Sequence, residues 1–210
     1  YGTVVINNST ITGNSASSHG GGIHSFKGSI TLNNSTVSSN NALYGGGINM
    51  DQGTLVLTNT IIDNNSVTKD GGGINSSKST ISVSSSTISG NSSGALPYQG
   101  GGFHGYNDSL TINNSTISGN FGQFGGGFYT YRGIWTITNS TISNNSAIDG
   151  AGGIENNQGT ITLNNSTISA NICQTVIGVG GILNTNSGTF NINNSTISGN
   201  IGNNGSNGGI

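Results

Sequence analysis

Short stretches in which apolar residues alternate with serine or threonine recur along the whole chain. In one of them Ile30 and Leu32 flank a single threonine. A period of two is typical of a β-strand whose apolar side chains all point to one side. Helical periodicity is found nowhere in the sequence, so the pattern predicts an all-β protein. The alternating pairs are Ile30/Leu32, Leu55/Leu57, Ile81/Val83, Leu110/Ile112, Trp135/Ile137, Ile161/Leu163 and Phe190/Ile192.

The stretches belong to an internal repeat marked by the step Thr-Ile-Ser or a close variant of it. The apolar residue of this step recurs eight times, at intervals of 25 to 29 residues. A second landmark in each repeat is a glycine run that ends in an apolar residue. Most of the length variation falls between the Thr-Ile-Ser step and the glycine run that follows it. The apolar residues of the first landmark are Ile11, Val37, Ile62, Ile88, Ile117, Ile142, Ile168 and Ile197. The constant segment with one variable loop indicates stacked coils of a solenoid.

An asparagine stands three residues after the first landmark in every repeat. Side-chain amides that stack along a column can hydrogen-bond from one coil to the next. We therefore expect these asparagines to turn inward or to lie along the corners, where they form a structural ladder. They are Asn14, Asn40, Asn65, Asn91, Asn120, Asn145, Asn171 and Asn200.

The predicted fold is a single-stranded parallel β-helix of about eight coils, each with 25–29 residues and three short strands. One strand is expected at the glycine landmark, one at the alternating stretch and one at the Thr-Ile-Ser step. Stacking buries the apolar face that one coil cannot bury by itself. Crossovers between parallel strands prefer the right hand, so we expect a right-handed helix. Residues 1–210 are predicted to form one domain, either as a segment of a longer chain or as a subunit that stacks head to tail.

Two motifs carry a resemblance to a known family. The sequence GGGI occurs at Gly20–Ile23, Gly45–Ile48 and Gly71–Ile74, and ISGN occurs at Ile88–Asn91. Together they resemble the GGA[I/L/V] and FxxN repeats of chlamydial polymorphic membrane proteins, and similar repeats occur in many right-handed parallel β-helix surface proteins. The chain differs in having Ile or Val in place of Phe, and a third Gly in place of Ala. The resemblance implies an extracellular or cell-surface location and an adhesin role.

The composition excludes several classes of function. Only 5% of the residues are charged and the formal net charge is −2, so no basic stripe is present to bind nucleic acid. No apolar run approaches the roughly 20 residues that a membrane-spanning helix needs. The single Cys173 excludes an internal disulfide. The glycine runs are periodic corners and not a phosphate-binding loop, and we expect no cofactor.

Catalysis has to be considered because parallel β-helices include pectate-lyase-like enzymes. These enzymes resemble one another in clustering acidic and basic residues on one face. The six acids of this chain fall at different positions of the coil or in distant coils, and we interpret them as scattered surface charge. They are Asp51, Asp63, Asp70, Asp108, Asp149 and Glu155. His19, His24 and His104 lack a metal-ligand spacing. We therefore predict no catalytic or metal site and a non-enzymatic structural protein, with a polysaccharide lyase or hydrolase as the alternative.

Aromatic residues gather in coils four and five. Flat aromatic faces stack on sugar rings or fill the groove of a partner, so this cluster is the candidate contact for glycans or partners. Tyr106 and Tyr131 share one column, and His104 and Tyr129 share another. The alternative is an ordinary β-surface in which tyrosines stack only on each other. The candidate contact residues are Tyr98, His104, Tyr106, Phe124, Tyr129 and Tyr131.

A third hypothesis is ice binding. Threonine and serine flank the apolar landmark residue, as Thr116 and Ser118 do, and this array resembles the flat threonine faces of β-solenoid antifreeze proteins. Ile61 and Asp63 interrupt the array in the third coil. Threonine is in any case a common strand residue, so ice binding ranks behind the other two hypotheses.

The two ends of the repeat array show no capping element. The sequence enters directly into a strand at Tyr1 and stops in the middle of a coil at Ile210. Uncovered strand edges pair with other strands. We therefore expect the end coils to contact either other copies, stacked end to end into a filament, or flanking coils of a longer chain.

Overall fold

The chain folds into a stack of eight parallel β-coils. The computed structural model describes residues 2–94, 99–203, 205 and 207–210, and these residues include no helix. Each coil starts with a five-residue strand and continues with a three-residue strand, and coils one to seven also have a four-residue strand after these. The predicted fold class is confirmed. In six coils a further strand of two residues, which the sequence pattern did not reveal, precedes the glycine run.

The strands recur in the same order from coil to coil. Coils one and two contain β1 Thr3–Asn7, β2 Thr10–Thr12, β3 Ile23–Phe26, β4 Ser29–Asn33, β5 Thr36–Ser38, β6 Asn41–Ala42 and β7 Ile48–Asp51. Coils three and four contain β8 Thr54–Thr58, β9 Ile61–Asp63, β10 Ser66–Val67, β11 Ile74–Ser77, β12 Thr80–Ser84, β13 Thr87–Ser89 and β14 Phe103–Tyr106. Coils five and six contain β15 Ser109–Asn113, β16 Thr116–Ser118, β17 Phe121–Gly122, β18 Phe128–Tyr131, β19 Ile134–Thr138, β20 Thr141–Ser143, β21 Ser146–Ala147 and β22 Ile154–Asn157. Coils seven and eight contain β23 Thr160–Asn164, β24 Thr167–Ser169, β25 Ile172–Cys173, β26 Ile182–Thr185, β27 Thr189–Asn193, β28 Thr196–Ser198 and β29 Ile201–Gly202.

Corresponding strands of successive coils pair in parallel and in register to form three long sheets. Sheet 1 has the order β1-β4-β8-β12-β15-β19-β23-β27, and sheet 2 has the order β2-β5-β9-β13-β16-β20-β24-β28. Sheet 3 has the order β3-β7-β11-β14-β18-β22-β26. The two-residue strands form a pair, β6-β10, and a row, β17-β21-β25-β29. Residues at the same position of the repeat therefore form columns that run along the stack.

The core consists of the apolar columns that the three sheets turn inward. Leu55, Ile62 and Ile74, from sheets 1, 2 and 3 of the third coil, are all fully buried. Burying such a side chain stabilises the fold by about 1.5–3 kcal/mol. Near the middle of the stack the Trp135 ring packs edge-on against Phe103, with 5.3 Å between ring centroids. The continuous apolar interior is the main source of stability.

The recurring sequence Asn-Asn-Ser-Thr builds the corner between sheets 1 and 2. Its second asparagine lies in the left-handed backbone region, as Asn34 does with φ of 50°, and asparagine tolerates this conformation better than most residues. In the interior coils its serine is buried and bridges two coils: Ser115 Oγ accepts from the backbone N–H of Ser86 at 3.1 Å and donates to the carbonyl of Asn113 at 2.8 Å. The threonine then points outward from sheet 2. The second asparagine, the serine and the threonine of the motif therefore have different structural roles.

The asparagines that follow sheet 2 form a second ladder, which we call the inner asparagine ladder. Asn91 donates from its backbone N–H and from Nδ2 to Oδ1 of Asn120, both at 3.0 Å. Asn120 Nδ2 in turn donates to the carbonyl of Ile88 at 3.0 Å and to Oδ1 of Asn145 at 2.9 Å. The side chains are buried from the second coil to the seventh. Amides thus satisfy the backbone at a corner that water does not reach.

The glycine run is required where the chain enters sheet 3. Gly45 has φ of 61°, which favours glycine. Two residues later, a Cβ on Gly47 would lie only 2.7 Å from the carbonyl oxygen of Gly73 in the next coil. The glycines therefore let successive coils approach each other closely at this corner. Within the described residues, no helix is long and apolar enough to cross a membrane.

Candidate ligand-binding face on sheet 3

Sheet 3 carries most of the chemically distinctive side chains on its outer surface. Its strands have four residues, of which the first and third point to the core, as Ile74 and Ser76 do. The second and fourth residues point outward and form two columns across seven coils. The second-position column is His24, Asn49, Asn75, His104, Tyr129, Glu155 and Leu183. The fourth-position column is Phe26, Asp51, Ser77, Tyr106, Tyr131, Asn157 and Thr185.

Tyr106 and Tyr131 stack on each other in the fourth-position column. Their ring centroids are 5.5 Å apart and the ring planes differ by 17°. Tyr106 is 37% exposed, and the guanidinium of Arg132 lies 4.8 Å from the ring centroid of Tyr131. The two stacked rings therefore form one aromatic strip at the surface.

The other predicted contact residues lie differently. His104 and Tyr129 also stack, with centroids 5.6 Å apart, but Tyr129 is only 4% exposed and its ring is covered. Phe124 is half-buried and forms an isolated bridge with Gln99 outside the sheet. Tyr98 lies outside the described residues. Of the five predicted contact residues that the structure describes, Tyr106 and Tyr131 are the ones that form the surface strip.

The second-position column contains a directed run of hydrogen bonds that sequence reasoning missed. His104 Nδ1 lies 2.7 Å from Asn75 Oδ1, Asn75 Nδ2 donates to Asn49 Oδ1 at 2.7 Å, and Asn49 Nδ2 lies 3.1 Å from His24 Nδ1. Because an amide oxygen only accepts and an amide nitrogen only donates, His104 carries its proton on Nδ1 and His24 carries its proton on Nε2. Burial lowers the pKa of both histidines, which keeps them neutral. We call this run the histidine–amide relay.

A cleft of about 370 Å³ opens beside this relay in the first three coils. Phe26, Asp51 and Ser77 line it from the fourth-position column, and His19 and His24 line it from the side. Phe26 is 57% exposed. The repeat register places Phe26 in the same column as Tyr106 and Tyr131, a signal that the predicted contact residues did not include.

The prediction that all six acids are surface charges is wrong for Asp108 and Glu155. Asp108 is buried at the corner between sheets 3 and 1, where its carboxylate accepts from the backbone N–H groups of Ser79 at 2.7 Å and Tyr106 at 3.0 Å. The hydroxyl of Ser76 also donates to it. Burial raises the pKa of Asp108 to about 6, although these three donors act in the opposite direction. Its column elsewhere contains glycine or serine, so this carboxyl occupies a space that those residues leave.

Glu155 is buried in the second-position column of sheet 3, between Tyr129 and Leu183. Burial raises its pKa to about 7, a backbone hydrogen bond from Ala151 opposes the shift, and the nearby charge of Asp149 adds to it. Its Oε2 has no hydrogen-bond partner among the described residues. A carboxyl in this position is held more readily as the neutral acid than as the anion.

The remaining acids do not gather into a metal site within the described part of the chain, where no group of three or more His, Cys, Asp or Glu side chains is placed to hold an ion. Asp149 accepts from Gln123 Nε2 at 2.6 Å and from Thr175 Oγ1 at 2.5 Å. Asp63 accepts from Ser89 Oγ at 2.8 Å on sheet 2. These contacts tie neighbouring coils together along the stack.

The fold and this surface define the class of protein: a parallel β-solenoid that displays a polar and aromatic face along one sheet. A family model described as right-handed β-helix region matches residues 29–197. The chain therefore belongs to the right-handed β-helix family, and the predicted hand is confirmed. No curated protein and no solved structure matches the chain.

Proposed function

We propose that the chain is a non-enzymatic structural protein of the extracellular space or cell surface, of the adhesin type, which contacts glycans through sheet 3. The stacked Tyr106–Tyr131 pair carries this proposal. Its rings are nearly parallel and lie 5.5 Å apart, and the ring surface that their mutual stacking leaves exposed offers an apolar contact for sugar rings. The resemblance of the glycine motifs to those of polymorphic membrane proteins supports the adhesin role.

The surroundings of the buried acids support a non-enzymatic role. Glycoside hydrolysis generally uses two carboxyl groups that flank the substrate. Asp108 accepts three hydrogen bonds from its own chain at an internal corner, and Glu155 is covered. Neither carboxyl faces the exposed tyrosine strip. A polysaccharide lyase or hydrolase remains the alternative, and turnover of a polysaccharide that is lost when one of the six acids is replaced by its amide would establish it in place of our proposal.

The double variant Tyr106→Ala/Tyr131→Ala is expected to weaken glycan binding by about tenfold or more, because it removes both stacking rings. Binding would be measured on an array of surface polysaccharides and then by titration with the oligosaccharides that bind. The matched control is Ile134→Ala, which removes an exposed apolar side chain from sheet 1. Equal affinity of the double variant and the unmodified protein would refute the proposed contact.

We extend the proposal to the two ends of the stack, where further coils would continue the fold. Val4 is aligned with the buried Ile30 but is itself 49% exposed, and at the other end Ile192 is also exposed. A second copy stacked head to tail would cover these side chains and pair with the outer edges of β1 and β27. Electron microscopy should then show rods longer than the roughly 38 Å of eight coils. Uniform single rods at high protein concentration would refute self-stacking and favour flanking coils as the neighbours.

A further inference from the structure

The cleft in the first three coils continues the tyrosine strip along the same column. Phe26, Asp51 and Ser77 precede Tyr106 in the fourth-position column, with one residue from each coil. Three strand spacings therefore separate Phe26 from Tyr106, which is about 14 Å. The volume of about 370 Å³ is at the small end of ligand-binding sites, which span roughly 300–1,000 Å³. The cleft thus has room for one small ring.

The groups that line the cleft match a polyhydroxylated ring. The exposed ring of Phe26 offers an apolar surface for stacking. The Asp51 carboxylate accepts hydrogen bonds from hydroxyl groups, and the Ser77 hydroxyl both donates and accepts. His24 adds a donor, because its Nδ1 is occupied by Asn49 and its Nε2 carries the proton. An aromatic wall with a few converging polar groups is the usual composition of a small-molecule site.

The floor of the cleft is held in place by its neighbours. The histidine–amide relay fixes Asn49 and Asn75 on one side and sets the orientation of the His24 ring. The His19 ring stacks on Tyr44 with 5.1 Å between centroids and 17° between planes. Side chains that are fixed before binding lose little conformational entropy when the ligand arrives. The site is therefore organised in the absence of a ligand.

The two charges around the cleft have opposite signs. The ammonium of Lys27 lies 5.0 Å from the centroid of the Phe26 ring, so a cation placed at this ring meets a like charge. An anion in the cleft meets the carboxylate of Asp51. Because each of these two charges also attracts an ion of the opposite sign, together they favour neither a cation nor an anion, and an uncharged ligand is the class we infer.

We propose that this cleft binds one neutral hexose unit of a glycan, whose following units extend along the fourth-position column onto Tyr106 and Tyr131. Stacking on Phe26 and hydrogen bonds from two hydroxyls to Asp51 hold the unit in the cleft. The inference rests on the proposed glycan-binding function and adds to it the position and the charge class of the recognised unit.

The test is a titration of the 210-residue chain with a panel of methyl hexopyranosides, followed by NMR. The same sugars in uronic acid and amino-sugar form are the charged comparison. We expect at least one neutral hexoside to bind more tightly than its charged forms. Phe26→Ala and Asp51→Asn should each weaken this binding by about tenfold or more. Asp63→Asn, the same change on sheet 2, should leave it unchanged.

The outcomes separate this inference from the proposed function. Tyr106→Ala/Tyr131→Ala should weaken oligosaccharide binding and leave single hexosides unaffected. If oligosaccharides bind through the tyrosines but no neutral hexoside binds, the cleft assignment is overturned and the proposed function stands. If no glycan of either size binds, both fail. Binding that prefers a charged sugar, or that is unchanged in Phe26→Ala and Asp51→Asn, also overturns the assignment.

Discussion

Replacing Asn120 by alanine is expected to lower the free energy of unfolding by about 3 kcal/mol. Oδ1 of Asn120 accepts both the backbone N–H and the Nδ2 group of Asn91. Without it the Asn91 N–H has no acceptor at a corner where the side chains are fully buried. An unsatisfied buried donor costs about 1–3 kcal/mol, and the space left by the amide adds to this. The loss would be measured as a shift in the urea unfolding curve.

A matched control is available on the outside of the stack. Asn164 also takes part in an asparagine column, where its Oδ1 accepts from Asn193 Nδ2 at 2.9 Å, but water can replace this bond. Asn164→Ala should therefore cost less than about 1 kcal/mol. If the two variants unfold at the same urea concentration, the inner asparagine ladder does not stabilise the fold in the way we describe.

A variant that keeps the shape of the side chain separates hydrogen bonding from packing. Asn120→Asp retains the acceptor for Asn91 but replaces the Nδ2 donor to Ile88 and Asn145 by an oxygen. The new carboxylate oxygen then faces two other acceptors inside the stack, the carbonyl oxygen of Ile88 and Oδ1 of Asn145. We expect Asn120→Asp to be destabilised as strongly as Asn120→Ala above the pKa of the new carboxyl. It should recover part of the stability in acid, because the protonated carboxyl can donate again.

The repeat allowed most of the fold to be predicted, because each coil places the same demands on the same position. Every coil has an asparagine at the repeat position of Asn91 and Asn120, because the corner needs both an acceptor and a donor there. The serine of the Asn-Asn-Ser-Thr corner, such as Ser115, forms another internal ladder that was missed. In the sequence it is indistinguishable from the outward-facing serines of neighbouring strands.

The surface was predicted less well, because exposure depends on the variable loops and not on the repeat. His104 and Tyr129 occupy outward positions of sheet 3, yet Tyr129 is covered while Tyr106, two residues after His104, is exposed. The cleft beside Phe26 likewise depends on how the segment that carries His19 lies over the sheet. Columns can be read from a repeat, but the loops that cover some of them differ from coil to coil in length and composition.

The two buried acids were also predicted incorrectly, because they were expected at the surface. In other coils the position of Asp108 is occupied by small residues such as Gly53, Ser79 and Gly133. Small residues at this position indicate that its side chain points into a confined corner. Glu155 aligns with Tyr129, a residue that is itself covered. Both acids were interpreted by their charge, which predicts exposure; the column of Asp108 indicated burial, whereas that of Glu155 is one of the outward columns of sheet 3.

The burial of Glu155 predicts that stability decreases as the pH rises from about 4.5 to about 7. The pKa of this carboxyl is raised from an ordinary 4.5 to about 7 in the folded chain. The folded state therefore binds the proton more tightly than the unfolded state, and this contribution is complete below pH 4.5 and is lost as the pH passes the folded pKa. With about 1.4 kcal/mol for each pH unit, the loss at pH 8 is about 3 kcal/mol. Asp108 acts in the same direction between 3.8 and about 6.

Glu155→Gln is the variant that isolates this effect, because the amide resembles the protonated carboxyl in size and cannot ionise. We expect Glu155→Gln to be more stable than the unmodified protein by about 3 kcal/mol at pH 8, and to differ little from it at pH 4.5. Glu155→Leu, which introduces the residue that Leu183 supplies in the next coil, should flatten the pH dependence in the same way. Urea unfolding at a series of pH values would measure both.

The contribution of Asp108 remains in each variant, so the difference from the unmodified protein, and not the absolute curve, reports on Glu155. A difference that stays constant between pH 4.5 and 8 would show that Glu155 is ionised in the folded chain throughout this range, and that its burial is relieved by water or by a donor at Oε2.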